Sequence, residues 1–365
     1  MLRAELDART RRDEERHRFD ALSDALVGAV EPDEVVSRAE RWATAALGRP
    51  CSVVTRPPAD GRAIALGSAR SDAWLIVDGD VTSDDDELAL EMVVDRIGRA
   101  LDAARRVSTQ ADGMRTLERS LLPDALLAVP GLQLASRYLP APGSHDVGGD
   151  FYDAIRVRDA ATLIVGDVQG KGIQAATLTS MARHTLRAAA LEGETPARLL
   201  KLLNRALLYA QDEQLAAGKD SMLRFVTAAA ARLEPRGNGS FEVTVARAGQ
   251  PPPLVVRTDG RFEVLEPRGV LLGVCEEPEY EEATTELSMG DTLVLYTDGV
   301  IEQRGGESKA LSEQHLGMLI RNRRGVSDAE AIASLIEETV HLVAPEAIRD
   351  DVAILVACVT RTNPV

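Results

Sequence analysis

Cysteine is scarce in this chain, with three in 365 residues, at Cys51, Cys275 and Cys358. Thiols so few and so scattered exclude a disulfide framework or a zinc cluster, and buried thiols are the simplest reading. Long apolar runs are missing too. No uninterrupted stretch approaches the roughly 20 residues that a membrane span needs. The opening residues, MLRAELDARTRRDEERHR, mix both charges and lack the apolar centre of a signal peptide. A cytoplasmic protein is therefore expected. Positive charge is also short: 42 Lys and Arg stand against 58 Asp and Glu, for a net charge of −16 and a pI near 4.9. Such a chain is repelled by nucleic acid and by anionic membrane surfaces, which leaves proteins or small molecules as partners. What is present, 45% hydrophobic residues over a length beyond one typical domain, predicts two packed domains.

Carboxylates are concentrated in four short motifs: GGDFYD at 148–153, GDVQGKG at 166–172, YTDG at 296–299 and the Asp350-Asp351 step. Each puts an aspartate at a strand end or tight turn. Burying several carboxylates together costs several kcal/mol per charge unless cations neutralise them, so the economical reading is a metal site. Aspartates suit hard oxygen-seeking cations, whereas His and Cys would suit zinc.

Composition and periodicity divide the chain near residue 122. Upstream, apolar residues at helical spacing (Phe19, Leu22, Leu26, Val30, then Val35, Val36, Ala39) predict two helices. Strand-like runs follow at 51–55, 62–66 and 74–77, separated by turn formers. The acidic cluster at 84–87 predicts a helix start capped by Ser83, an EF-hand spacing being absent. From there to Leu121 a heptad-like seam runs through Leu90, Ile97, Ala104 and Ala111, and through Val93, Ala100, Val107, Met114 and Leu121. That seam fits either a parallel dimer contact or a helix docked on its own domain, and Gly98, Gly113 and Glu118 weaken the former. Beyond Pro123, strands are predicted at 132–138, 161–168, 223–233, 241–248, 253–256, 262–265, 292–296 and 352–359. Helices are predicted at 173–191, 196–211, 312–321 and 327–343. Grouped strands and paired helices imply sheets sandwiched between helical layers, an α+β class rather than regular βαβ alternation.

Six segments in order, GGDFYD, GDVQGKG, AGQPPPL at 248–254, LLG at 271–273, YTDGVIE at 296–302 and DDVAIL at 350–355, resemble the SpoIIE-type branch of the 2C-like, metal-dependent Ser/Thr protein phosphatases. RSLLP at 119–123 resembles the entry segment of those domains. The resemblance spans roughly residues 115–360 and implies an α-β-β-α sandwich over 122–361. It implies that Asp167 bridges two divalent ions, Mn²⁺ or Mg²⁺, with the Val168 carbonyl on one and Asp298 and Asp350 on the other. Asp150 would approach the first ion or hold its waters. Two such ions about 3.5–4 Å apart can generate a bridging hydroxide that attacks phosphorus in line. The implied reaction is hydrolysis of phosphoserine or phosphothreonine on a regulatory partner, a STAS-type anti-sigma-factor antagonist by resemblance.

Around these, Asp153 is read either as a hydrogen-bonder to metal-held water or nearby backbone, or as a turn cap. Asp351 is read as a support for the ligands or as a surface residue, and Lys171 as a phosphate contact or a solvated lysine. Gly166, Gly170 and Gly172 are expected to let the backbone turn past the ions. His145 reads as an ordinary loop residue. Two positions depart from the family pattern: Gln250 stands where a histidine is frequent, and Gln169 where a small residue is. They put substrate contacts in doubt and keep open a catalytically weak binding module that retains the fold. Residues 1–82 resemble a shortened GAF domain, read as a sensor or dimerisation unit, with 83–121 as a linker helix and a homodimer as the assembly. A diguanylate cyclase loop, a P-loop and a cysteine phosphatase are poor matches: the first lacks a glutamate after Asp150, the second has Gly172 in place of Ser/Thr, and no cysteine precedes a phosphate-cradling loop.

Overall fold

The computed structural model describes residues 32–58, 63–67, 73–79, 84–123, 125–141, 148–218, 225–302, 311–321, 328–344, 348 and 350–361. The first of the two expected helices, with Phe19, Leu22, Leu26 and Val30, the Ser83 cap and His145 lie outside them. The chain divides into two compact units, 1–113 and 114–365. The division falls within the long helix.

In the first unit, helix α1 (Pro32–Leu47) precedes strands β1 (Cys51–Val54), β2 (Ala63–Ala65) and β3 (Trp74–Val77), an antiparallel sheet in the order β1-β3-β2. Helix α2 (Asp84–Leu121) follows. Val35, Ala39, Trp42 and Ala43 of α1 face Leu75 and, from α2, Leu90, Val93, Ile97, Leu101 and Ala104 in one core. The upstream half of the heptad seam is therefore spent inside its own unit. Gly98 shows why: a Cβ there would lie 2.7 Å from the Gly67 nitrogen, so its absence lets α2 approach that backbone.

The second unit contains two five-stranded antiparallel sheets. One has the order β10-β9-β12-β13-β4, formed by β4 (Leu132–Leu139), β9 (Leu254–Val256), β10 (Phe262–Val264), β12 (Thr292–Tyr296) and β13 (Val352–Val359). The other has the order β11-β8-β7-β6-β5, formed by β5 (Phe151–Val157), β6 (Ala160–Val168), β7 (Val226–Pro235), β8 (Phe241–Ala248) and β11 (Ala283–Leu287). Alternation sorts the side chains of each central strand. On β13, Ala353, Leu355, Ala357 and Val359 enter the core between the sheets, while Val352, Ile354, Val356 and Cys358 face helices α5 (Glu313–Arg321) and α6 (Ala329–Val343). On β6, Leu163 and Val165 point between the sheets, and Ile164 and Val168 face α3 (Ile173–Leu191) and α4 (Pro196–Ala216). The result is the expected α-β-β-α sandwich. Pro196 opens α4, where a missing N–H costs nothing, and the Asp328 side chain caps α6 by accepting from the Glu330 N–H at 3.0 Å.

Two strands escape the sequence reading. β5 starts within the acidic GGDFYD motif and continues past it through Arg156, so its alternation is masked by charge. β11, ATTEL, is a polar edge strand with little apolar signal.

Candidate metal centre

Antiparallel pairing brings the start of one strand beside the end of its neighbour, and this alone gathers the acidic motifs. Phe151 pairs with Gly166, so Asp150, just before β5, meets Asp167, near the end of β6. In the other sheet Tyr296 pairs with Ile354, which sets Asp298, just past β12, near the start of β13. Across the sandwich, carboxylate oxygens of Asp150, Asp167 and Asp298 lie within 4.8 Å of one another.

The group is electrostatically uneasy without a cation. Burial, with the Asp167 charge next, raises the Asp150 carboxyl well above the ordinary carboxylate range. Burial and then the charges of Asp298, Asp350 and Asp351 push Asp167 up to about 7. Asp298 is raised by burial, Glu302 and Asp350. Crowded oxygen donors that resist ionisation are what a hard divalent cation neutralises, so the residues present fit such an ion.

Gly149 permits this crowding: a Cβ there would stand 2.2 Å from the Val168 carbonyl oxygen and 2.5 Å from Asp167 Oδ1. The Val168 carbonyl and the Asp167 carboxylate thus face the same turn, and the Val168 N–H donates to the Gly149 carbonyl at 3.2 Å. Gly170 and Gly172 carry φ of 102° and 87°, the left-handed turn expected after Asp167. Gly166 instead stays in β6, where a side chain would strike the Phe151 ring 2.4 Å away.

Asp350 is more exposed than the other three, and its Oδ1 lies 3.6 Å from Lys171 Nζ, which is itself exposed. Asp351 is buried rather than on the surface, and its Oδ1 accepts from the Ala141 N–H at 2.8 Å. Asp153 holds nearby backbone, one of the readings of this residue, and two arginines besides. It is fully buried beneath α3, and both its oxygens are taken: Oδ2 by Arg183 Nε (3.1 Å) and Arg187 Nε (2.8 Å), Oδ1 by Arg187 Nη2 (2.7 Å) and the Ala154 N–H (2.9 Å). An aspartate so engaged has no oxygen left for metal-held water or phosphate. No local pattern marks these arginines, because an i,i+4 pair on a helix is ordinary until its partner is known. Gln250 is also fully buried, its amide donating to the Tyr296 carbonyl at 3.4 Å, so it touches the strand that delivers Asp298 rather than open substrate space. Gln169 is exposed at the turn after Val168. Thr297 carries no expected role within its motif, yet its hydroxyl donates to Asp150 Oδ2 at 2.7 Å.

Paired antiparallel sheets between helical layers, with strand-end aspartates converging at one edge, define a metal-dependent protein phosphatase domain of the 2C type. The profile of the family described as Stage II sporulation protein E (SpoIIE) matches residues 158–360, more than half of the chain. The chain belongs to that family, and its C-terminal unit is a serine/threonine phosphatase domain. It is 25% identical over 239 residues to the phosphoserine phosphatase RsbU of Bacillus subtilis (strain 168), covering 65% of this chain and 67% of RsbU. The crystal structure of the RsbU and RsbW domains of Rv1364c from Mycobacterium tuberculosis superposes with a TM-score of 0.54 at 29% identity, over 67% of this chain and 64% of that one. Both relatives are thus matched over only about two thirds of their length. The SiaA-PP2C domain of Pseudomonas aeruginosa shares the fold, with a TM-score of 0.57 at 23% identity, over 70% of this chain and 98% of the domain.

Proposed function

We propose that this chain removes phosphate from a serine or threonine of a regulatory partner protein, a STAS-type anti-sigma-factor antagonist, under the control of its N-terminal unit. The observation that carries the reaction is the convergence of Asp150, Asp167 and Asp298 within 4.8 Å, with all three carboxyls raised by burial and then by neighbouring carboxylate charges. The names of the relatives support the substrate class: one is a phosphoserine phosphatase, and another joins an RsbU domain to an RsbW domain.

Asp150, Asp167, Asp298, Asp350 and the Val168 carbonyl are the residues that would hold two divalent ions, Mn²⁺ or Mg²⁺. When bound, such ions neutralise charge on phosphoryl oxygens and make water nucleophilic near neutral pH. The protein's own share is positional. Asp167 and the Val168 carbonyl are fixed by the β6 end and the glycine turn, Asp298 by the 3₁₀ turn over 298–300, and Asp150 by the GGD turn. Lys171, exposed beside Asp350, is placed to attract a phosphoryl group entering from solvent. The N-terminal unit we read as a reduced GAF-like sensor, and the assembly as a homodimer. Because Leu90, Val93, Ile97 and Ala104 are consumed in the core, a dimer contact along this stretch of α2 would use another face, such as that bearing the exposed Leu88 and Met92.

The test is hydrolysis of p-nitrophenyl phosphate and of phosphorylated STAS proteins with Mn²⁺. Turnover is expected to vanish in excess chelator and to fall by at least about 100-fold in Asp167→Asn, an estimate drawn from the loss of a bound ion's charge stabilisation. Full activity in chelator would sink the metal reading. Tight partner binding with no turnover at all would make the chain a binding module.

A further inference from the structure

Thr297 stands where β12 gives way to the 3₁₀ turn that carries Asp298. Its carbonyl has left the sheet and accepts from the Val300 N–H at 3.1 Å, while its own N–H still donates to the Ala353 carbonyl at 3.0 Å. The turn therefore takes a ladder acceptor away from β13. The Ala353 N–H donates instead to Thr297 Oγ1, at 2.8 Å. The side-chain hydroxyl has taken the place of the missing backbone carbonyl.

That substitution fixes the direction of the hydroxyl proton. With the oxygen already accepting from Ala353, its single hydrogen goes to the better of two acceptors. Asp150 Oδ2 lies at 2.7 Å, whereas the Ala353 carbonyl lies at 3.4 Å and already receives the Thr297 N–H. Thr297 and Ala353 are fully buried and Asp150 is 5% exposed, so water does not compete well for any of the three. Asp150 belongs to the GGD turn of one sheet; Thr297 and Ala353 belong to the other.

We infer that Thr297 is a positioning residue for the phosphatase reaction: it relays a hydrogen bond from the β13 backbone to Asp150, occupying one carboxylate oxygen and leaving the other for a cation. The inference rests on Asp150 being a metal ligand, as proposed above. Hydrogen-bond partners of ligating groups orient them, and their removal typically lowers metal affinity about 10- to 100-fold. Threonine suits the position because its hydroxyl can accept and donate at once. Valine keeps the shape and does neither.

Calorimetric titration of Mn²⁺ into the full chain tests this, with thermal melting of each variant in chelator to show that it is folded. Thr297→Val is expected to weaken Mn²⁺ binding about 10-fold or more, and Thr297→Ser to restore it to within about 3-fold of the parent. In an Asp150→Asn background, adding Thr297→Val should change the affinity less than about 2-fold, because the two act as a unit. Should the valine chain fail to melt cooperatively, Thr297→Cys, with its weak S–H donor, takes its place under the same expectation. A folded valine or cysteine variant that binds Mn²⁺ like the parent would overturn the inference. So would a serine variant as weak as valine, or an equal loss with and without Asp150. Asp167→Asn separates the two levels: unchanged Mn²⁺ binding there would overturn the metal site itself.

Discussion

At the scale of single residues, the pH response of the ion-free protein is set by carboxyls that resist ionising. Asp167 has an ordinary value of 3.8 in the unfolded chain and about 7 when folded. Between these values the folded state holds a proton that the unfolded state has released. Stability from this group is therefore highest near the acid end of that window and is lost as pH rises through about 7, the reverse of the usual aspartate. Asp150 and Asp298 are shifted in the same direction. In excess chelator, the urea midpoint should fall more between pH 5.5 and pH 8 for the parent than for Asp167→Asn, which carries no titrating group at this position. Parallel curves would show that Asp167 ionises normally. Saturating Mn²⁺ should restore stability at pH 8 in the parent and much less in the variant, since an ion that binds only the folded state stabilises it.

Between elements, the buried pairing of Asp153 with Arg183 and Arg187 fastens α3 to β5. Arg183 also donates through Nη1 to the Leu121 carbonyl at 2.9 Å, so one guanidinium holds both the strand that begins next to Asp150 and the last residue of α2. Breaking such a pair on one side leaves an uncompensated buried charge. Asp153→Ala is therefore expected to cost about 3–5 kcal/mol, measured by urea unfolding of the phosphatase unit. Arg187→Ala should cost less, because that arginine is 39% exposed and water can take over part of its role. Equal, small effects would show the cluster to be solvated in solution. The helix at 173–191 and the strands at 241–248, 292–296 and 352–359 are legible from periodicity to the residue, because their apolar patterns are strong and their ends carry turn formers. β5 and β11 are not, since charge or polarity at the sheet edge erases the period. The Asp153 partners lie 30 and 34 residues away on a helix, beyond the reach of local pattern.

Taken whole, the molecule is two units with separate cores, one built on Trp42, Leu75 and Ile97, the other on the two sheets and their helices. Residues 114–365 should therefore fold alone and hydrolyse p-nitrophenyl phosphate with Mn²⁺. Comparing that piece with the full chain checks the proposed control: a difference in rate supports coupling through α2, while equal rates in every ligand state would count against it. No helix among the described residues is long and apolar enough to cross a membrane.

The sequence by itself pointed to the class of chemistry and to the order of the elements other than β5 and β11. Oxygen donors clustered at turn-rich strand ends suit a hard cation, and apolar periodicity marks the strands and helices whose patterns are strong. Only the tertiary structure decided what each polar residue faces. The heptad seam by itself fits two readings, and the structure buries Leu90, Val93 and Ile97 inside their own core. Asp153 and Asp150 stand three residues apart in one motif, yet the first is paired with arginines of α3 and the second with Thr297 of the opposite sheet. The physical reason is that a carboxylate's role is set by the charges and donors within a few ångströms, and here those come from segments up to 210 residues distant.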